Sequence, residues 1–243
     1  ETAASVLIVS LGCEGTDHER MVKEISATGK RVEIIHIQDL GGVSKAIMAG
    51  TNIARRLVIE ASGMQRSPAD ISNVVMAIKC GASDTTSGMA SNCVIGYVAD
   101  RLVDLGATVI FGETTEFIGG EHLLARRAVS KEVGDQIYTI VNKMEARAKS
   151  LGCDMRKGQP TPGNIAGGLS SIEEKSLGAI VKSGTKPIQG VLDYPERVTN
   201  QKGLWIKDTP GREPEILTGM AATGAQFMMF STGRGAPQGF PSM

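Results

Sequence analysis

The run Val74-Val75-Met76-Ala77-Ile78 contains no polar residue and opens directly into Lys79-Cys80-Gly81-Ala82-Ser83-Asp84-Thr85-Thr86-Ser87-Gly88. An apolar periodicity through Ala90, Val94, Val98 and Leu102 follows. A continuous apolar run suits a strand covered on both faces, and the spacing after it suits a helix. A strand that ends in a small, hydroxyl-rich turn at a helix N-terminus presents unpaired N–H groups beside side-chain oxygens. Such a turn suits an anionic or heavily hydroxylated small molecule.

The same alternation recurs along the first half. Ser5–Leu11 reads as a strand, Gly12–Asp17 as a turn with an N-cap, and Met21, Ile25 and Gly29 as a short helix with its stop. Val32–Ile37 reads as a second strand, and Gly41-Gly42 breaks the chain before a long helix through Ala46, Ile53, Leu57 and Ala61. Val74–Lys79 is the third strand and Ala107–Phe111 the fourth. Strands alternating with helices predict an α/β fold, a doubly wound and mostly parallel sheet of Rossmann-like, three-layer form.

An amphipathic helix is expected between Ser130 and Leu151, then a loop-rich part with strand-like segments at Ile188–Leu192, Gly203–Ile206 and Gln226–Ser231. This divides the chain into a Rossmann-like region, 1–128, and a helix plus loop-rich α/β region, 129–243, that completes the same catalytic unit. In parallel sheets ligands bind outside the carboxyl ends of the strands. The turns Gly12–Asp17, Gly41–Ser44, Cys80–Gly88 and Gly112–Gly120 all meet that condition.

Composition removes several function classes. Lys plus Arg total 26, as do Asp plus Glu, and aromatics are only 4% of 243 residues. Neither a basic surface for nucleic acid nor a stacking platform for bases is indicated. No apolar run reaches the roughly 20 residues a bilayer span needs, and no signal peptide is visible, so the cytoplasm is the expected location. Cys13, Cys80, Cys93 and Cys153 are too few and too scattered for a disulfide framework. Both ends read as cut from a longer polypeptide.

Acid/base groups concentrate in Glu113-Thr114-Thr115-Glu116 and Glu121-His122, just past the fourth strand. Glu113 there faces the Cys80–Asp84 turn and could take a proton or hold a divalent metal. Glu116 and Glu121 suit helix N-termini equally well. The histidines His18, His36 and His122 have no metal-site spacing, so a metal would draw on Cys80, Cys13 and carboxylates. Each of those cysteines is as well read as a small buried hydrophobe at a strand end. Thr232-Gly233-Arg234-Gly235 ends another strand, where Arg234 offers a planar fork for a carboxylate or sulfonate. Pro162-Gly163-Asn164 and Gly167-Gly168 suit a lid or an anion nest. No phosphate-binding fingerprint and no nucleophile elbow are present, which disfavours nucleotide binding and acyl transfer.

Gly12-Cys13-Glu14, Lys79-Cys80-Gly81-Ala82-Ser83-Asp84 with Ser87-Gly88, and Glu113-Thr114-Thr115-Glu116 together resemble the altronate/galactarate dehydratase family. Glu121-His122-Leu123-Leu124, Arg126-Arg127-Ala128, Pro162-Gly163-Asn164, Gly167-Gly168-Leu169 and Glu174–Gly178 continue the resemblance. Asp208-Thr209-Pro210-Gly211 and Thr232-Gly233-Arg234-Gly235 complete it in order, over nearly the whole chain. The family holds sugar-acid dehydratases and, close by, the large subunit of sulfolactate sulfo-lyase. The resemblance implies β-elimination: a base removes the proton α to a carboxylate, an aci-carboxylate forms, and water or sulfite leaves. It also implies a divalent metal, Fe2+ or else Mn2+.

Three departures accompany it. Family members carry an upstream segment with a His-Gly-Cys motif and often a small N-terminal domain, which this chain lacks. The family's Cys-Gly-Gly-Ser-Asp has Ala82 at its second glycine. Pro160-Thr161-Pro162 replaces its Pro-Ser-Pro.

The resulting expectation is the catalytic-region fragment of a metal-assisted lyase acting on a small hydroxy acid. Glu113, Lys79, Glu116 and His122 are the catalytic candidates, with Lys79 a base if burial lowers its pKa. Cys80, Glu113 and Cys13 are the metal candidates. Ser83, Asp84, Thr86, Ser87, Asn164, Thr232, Gly233 and Arg234 are the substrate-binding candidates. The expected partners are the hydroxy acid and the upstream segment, small domain or subunit, with self-association into a homo-oligomer compatible. A non-catalytic acid-binding or oligomerisation domain is the alternative from another class.

Overall fold

The computed structural model describes residues 3–199 and 201–240. They form two compact units, divided between Pro68 and Ala69.

In the first unit, β1 (Ser5–Ser10), α1 (His18–Ser26), β2 (Arg31–His36) and α2 (Val43–Ser62) follow in order. β1 and β2 pair in parallel, from Ser5 opposite Arg31 to Ser10 opposite His36. Asp17 caps α1 by accepting from Arg20 N. Gly50 lets α2 lie on the strands, since a Cβ there would meet Ile35 Cδ1 at 3.3 Å.

The second unit opens with β3 (Val75–Gly81), a π-helical turn at Ser87–Ser91 and α3 (Asn92–Asp104). β4 (Thr108–Phe111), a 3₁₀ turn at Thr114–Phe117, α4 (Glu121–Ala125) and α5 (Lys131–Ser150) come next. Two short helices, α6 (Met155–Gly158) and α7 (Pro162–Ala166), lead to α8 (Ile172–Ile180) and a 3₁₀ turn at Val181–Ser183. β5 (Ile188–Leu192), β6 (Gly203–Lys207), α9 (Glu213–Thr223) and β7 (Phe227–Thr232) complete it.

The five strands of this unit form one sheet in the order β5-β6-β4-β3-β7, and every pair is parallel. β3 has β4 on one side and β7, the last strand, on the other, so the sheet's direction of growth changes at β3. That is where a parallel sheet opens a crevice beyond its carboxyl ends.

Strand side chains alternate between the two faces. Met76, Ile78, Val109, Phe111, Leu204 and Ile206 join the larger core, with Ile95 and Ala99 of α3, Ile137 and Val141 of α5 and Ile172 and Ile180 of α8. Ala77 and Ile110 join a smaller core with Ile216 and Met220 of α9. Both faces are covered, which is why these strands read as continuous apolar runs.

The fold class expected from sequence is found, and two features differ. β1 and β2 make a sheet of their own, so the turns Gly12–Asp17 and Gly41–Ser44 belong to one unit and Cys80–Gly88 and Gly112–Gly120 to the other. The residues on either side of Ala128 lie in a single unit, where Ala128 bridges Ile188 at the start of β5. Pairing between distant strands decides both features, and local periodicity carries no record of it.

α3 meets the turn after α8 at Gly96, where a Cβ would fall inside the contact radius of the Val181 carbonyl oxygen. Gly96→Ala is therefore expected to cost about 1–3 kcal/mol by overpacking. Urea denaturation of the variant beside the parent would measure it, and an unchanged midpoint would contradict this packing.

Candidate active site

β3 and β4 deliver their last residues side by side. Lys79 follows Val75 and Ala77 onto the α9 face, and Cys80 follows Met76 and Ile78 onto the α8 face. Past Phe111 the chain must turn back over the sheet. Gly112 permits this, since a Cβ there would collide with Thr209 Oγ1. Glu113 then adopts a left-handed conformation, φ 70°, unusual for a residue with a side chain. Its N–H donates to Thr209 Oγ1 at 2.8 Å, and its carbonyl accepts from Glu116 N at 2.7 Å.

This strained turn places the Glu113 carboxylate over the ends of both strands, between two ammonium groups. Lys79 Nζ donates to Oε1 at 2.9 Å, and Lys182 Nζ lies 2.9 Å from Oε2. Oε2 also accepts from Cys80 N at 3.0 Å and from the Cys80 thiol at 3.5 Å. Lys182, in the turn after α8, donates to Cys80 Sγ at 3.2 Å. Lys79 donates to the Cys80 carbonyl at 2.6 Å and lies over the Phe230 ring, 5.1 Å from its centroid. Lys79, Lys182 and Glu113 are at most 1% exposed.

Two ammoniums thus face one fully buried carboxylate, with Glu213 a third, half-exposed partner 3.4 Å from Lys79. Burial alone would raise the Glu113 pKa, but Lys182 and Lys79 hold it below the ordinary carboxylate range. Burial would lower both lysines; their acidic neighbours, Glu113 foremost for Lys79, reverse that and raise them. The condition attached to Lys79 as a base, a pKa lowered by burial, is therefore not met. Burial, and then Glu113, push the Cys80 thiol up to about 12 despite Lys182.

The metal assignment meets the same facts. Both Glu113 oxygens already face ammoniums, Cys80 is protonated at neutral pH, and Lys182 lies on its sulfur. Cys80 and Glu113 thus do not fit a divalent cation. Cys13 belongs to the first unit, exposed, with Gln38 Nε2 donating to its sulfur at 3.2 Å. Among the described residues no group of three or more His, Cys, Asp or Glu side chains is placed to hold a metal.

The hydroxyl-rich loop is largely occupied with itself. Asp84 Oδ1 accepts from Ser87 N and Thr86 Oγ1, both at 2.8 Å, and Ser87 Oγ donates to the Asp84 carbonyl. Thr161 caps α7, Asn164 completes the capping box by accepting from Thr161 N and donates from Nδ2 to the Ser83 carbonyl at 2.9 Å, and Thr85 N donates to the Gly167 carbonyl at 3.0 Å. The Asn164 and Gly167 segment thus clamps the loop rather than forming an open nest. Gly233 packs directly on the Asp84 carboxylate, and Thr232 Oγ1 accepts from Gly235 N. Arg234 reaches past Gly163, is exposed, and makes no hydrogen bond or ion pair with the described residues.

Two cavities adjoin this ensemble. One, about 320 Å³, is lined by Ser83, Asp84, Ser87, Asn92, Leu169 and Lys175 among others. The other, about 220 Å³, is lined by Thr115, Glu116, Gln159, Lys175 and Gly211 among others. Lys175 borders both, donating to Gln159 Oε1 at 2.8 Å with Glu116 Oε1 at 3.3 Å. Glu116 Oε2 is buried with no hydrogen-bond partner. His122 is exposed on α4, outside both linings. Sequence reading gave no role to Lys182, Lys175 or Asn92. Lys182 had one signal, a single cation after the apolar stretch Leu177–Val181, and that pattern is equally common at solvated helix ends.

The model of the D-galactarate/altronate dehydratase C-terminal region matches residues 71–243, and that of the D-galactarate dehydratase/altronate hydrolase second domain matches residues 2–62. The chain belongs to the galactarate/altronate dehydratase family. The two matched regions coincide closely with its two compact units. Among curated relatives, (2R)-sulfolactate sulfo-lyase subunit beta of Chromohalobacter salexigens is 39% identical over 96% of this chain and 60% of its own length. Galactarate dehydratase (L-threo-forming) of Escherichia coli is 36% identical over 96% of this chain and 46% of its own. Altronate dehydratase of Bacillus subtilis is 34% identical over 98% and 47%. The chain spans about half the length of the relatives it matches.

Ala82 has φ 50°, a conformation costing an L-residue about 1–2 kcal/mol. After the entropy that glycine loses on folding, Ala82→Gly should stabilise the chain by about 0.5–1 kcal/mol. A rise of a few degrees in Tm by calorimetry is expected, and a fall would contradict the left-handed turn.

The charge cluster predicts more. Glu113→Gln removes the carboxylate shared by two buried ammoniums, leaving Lys79 only Glu213 as counter-charge, and should cost about 3–5 kcal/mol in urea denaturation. Because Glu113 has a lowered pKa in the fold, its contribution is present above the ordinary carboxylate range and lost on acidification; the raised lysines act oppositely, losing theirs in strong alkali. Stability of the parent should thus fall at both extremes, and the Gln variant should lose the acid limb. Iodoacetamide at pH 8 should modify the exposed Cys13, Cys93 and Cys153 and leave Cys80 intact, as read by mass spectrometry.

Proposed function

We propose that this chain carries the proton-transfer centre of a lyase that eliminates water from a small sugar acid. The observation that carries the reading is the buried Lys79–Glu113–Lys182 cluster, with its two ammoniums, at the carboxyl ends of β3 and β4. Removing the proton α to a carboxylate creates an aci-carboxylate dianion, and stabilising that charge is the hard part of the reaction. Ammoniums held in a dry site by the fold supply such stabilisation without reorganising at the moment of reaction.

The lysines, being protonated, stabilise charge rather than abstract the proton. Glu116 is the acid/base candidate: it lines a cavity, Oε1 faces Lys175, and the buried Oε2 lacks a hydrogen-bond partner. Arg234, with its guanidinium free, takes a carboxylate of the substrate, and Ser83 contacts a hydroxyl. Water leaves from the β-carbon and the enol product rearranges to a 2-keto acid. Full activity requires the rest of the polypeptide seen in the longer relatives.

A second reading is elimination of sulfite from sulfolactate. It is favoured by the 39% identity to a sulfo-lyase subunit, against 34–36% to the dehydratases above. A partner subunit would accompany that reading. Both reactions pass through the same α-carbanion and differ in the group expelled.

The test is incubation of the full-length protein with altronate, galactarate and sulfolactate, with and without ferrous iron. Release of a 2-keto acid from a sugar acid is expected, whereas pyruvate and sulfite from sulfolactate would establish the second reading. No turnover of any of the three would point to a non-catalytic acid-binding or oligomerisation role. In an active enzyme, Glu116→Gln should lower kcat by roughly 10²–10⁴-fold. Arg234→Ala should act mainly on KM.

A further inference from the structure

β1 has the sequence of a central strand and the position of an edge strand. Ser5-Val6-Leu7-Ile8-Val9-Ser10 carries no charge, yet among the described residues it pairs with β2 alone. Strand edges that face water are normally guarded by charged side chains, short length or a covering element. β2 follows that rule, with Arg31 and Glu33 in an ion pair at 2.8 Å, and β1 does not. The helices of this unit show where the missing neighbour lies. Val22 of α1 lines a cavity with Ile34 and His36, whereas Gly50 of α2 packs on Ile35 and Leu7. Alternation along β2 puts these two helices on opposite faces. α2 reaches past β1 on its face: Val43, Ile47, Thr51 and Ala54 flank Leu7 and Val9 in an open, apolar groove of about 500 Å³. Val9, Val43 and Ile47 are 55%, 62% and 64% exposed.

We propose that the free edge of β1 receives a parallel strand from the part of the full-length polypeptide that precedes this chain, its aliphatic side chains seated against Val43, Ile47 and Ala54 of α2. Among the described residues every strand after α2 belongs to the other sheet, so none of them is available to fill the position. The chain spans 46–60% of the lengths of its curated relatives, and the matched regions are the family's second domain and its C-terminal region, so in those relatives a further region comes first. A strand that precedes β1 and joins it through a helix on the α1 face falls at this edge, because parallel connections are right-handed. The backbone is ready for it. The Ser10 carbonyl accepts from Ile37 N, so Ser10 faces β2, and by alternation Leu7 and Val9 turn their N–H and C=O groups to the free edge. This inference concerns how the protein is assembled and stands apart from the lyase reading.

Hydrogen exchange of the full-length protein, read by mass spectrometry on peptides covering β1 over a range of protein concentrations, tests the pairing. Slow exchange of the Leu7 and Val9 amides at every concentration is expected. Val9→Lys and Ile47→Lys should speed that exchange about tenfold or more and lower the urea midpoint. Val94→Lys, at an equally exposed apolar position on α3 outside the groove, should change neither. On a bare surface all three substitutions would be silent alike. Photo-crosslinking from p-benzoylphenylalanine in place of Ile47 identifies the occupant directly and serves where a lysine variant fails to fold. A crosslink to residues preceding Glu1 of the same polypeptide is expected. A crosslink to residues 69–243, a crosslink to a second copy in a mixed-isotope sample, no crosslink, or protection that grows with concentration would overturn the assignment to the preceding segment. Fast exchange of Leu7 and Val9 in the parent, or folded lysine variants that match it, would overturn pairing at this edge.

Discussion

Glu113 is bonded to both sides of the sheet at once, and much of the second unit is arranged around that fact. Its two oxygens face lysines that approach from opposite faces, Lys79 from the α9 side and Lys182 from the α8 side. Taking three charges out of water is expensive, and only close pairing with further hydrogen bonds offsets the expense. The strained backbone at Glu113, the missing Cβ at Gly112 and the support from Thr209 all serve to hold the carboxylate in that position. Removing any of them would leave buried charge without a counterpart, which is a severe constraint on what can stand at these positions.

The cluster places two ammoniums beneath the crevice, and such donors suit the proposed chemistry. Loss of an α-proton from a carboxylate concentrates negative charge on two oxygens, whichever group departs afterwards. A scaffold that stabilises the common intermediate can therefore serve water elimination in one member and sulfite elimination in another. On the proposed reading, discrimination falls to the cavities, where single hydrogen bonds and shape separate related acids.

The loop after β3 shows how a sequence motif and its structural role can part company. Its hydroxyls looked available for a ligand, yet Asp84, Thr86 and Ser87 bond one another and hold the start of the π-helical turn. Such short side chains compete for nearby backbone groups, which makes them good builders of sharp turns. Among the described residues the groups left without partners include Ser83 Oγ, Asn92 Oδ1, Glu116 Oε2 and Arg234, which come from separate elements of the second unit.

By itself the sequence determined the alternation of strands and helices, because apolar runs and helical spacing are local consequences of which faces are covered. β3, β4, α5 and β7 lie close to where their patterns put them, and Glu113 was legible as the acid just past a strand. The tertiary structure alone decided that β1 and β2 stand apart from the larger sheet, since pairing depends on partners far along the chain. It alone brought Lys182 to a carboxylate 69 positions earlier in the numbering. It also decided that Cys80 is a protonated, buried thiol beside an ammonium. A pKa is set by burial and neighbouring charge, and neither is written in the residues on either side.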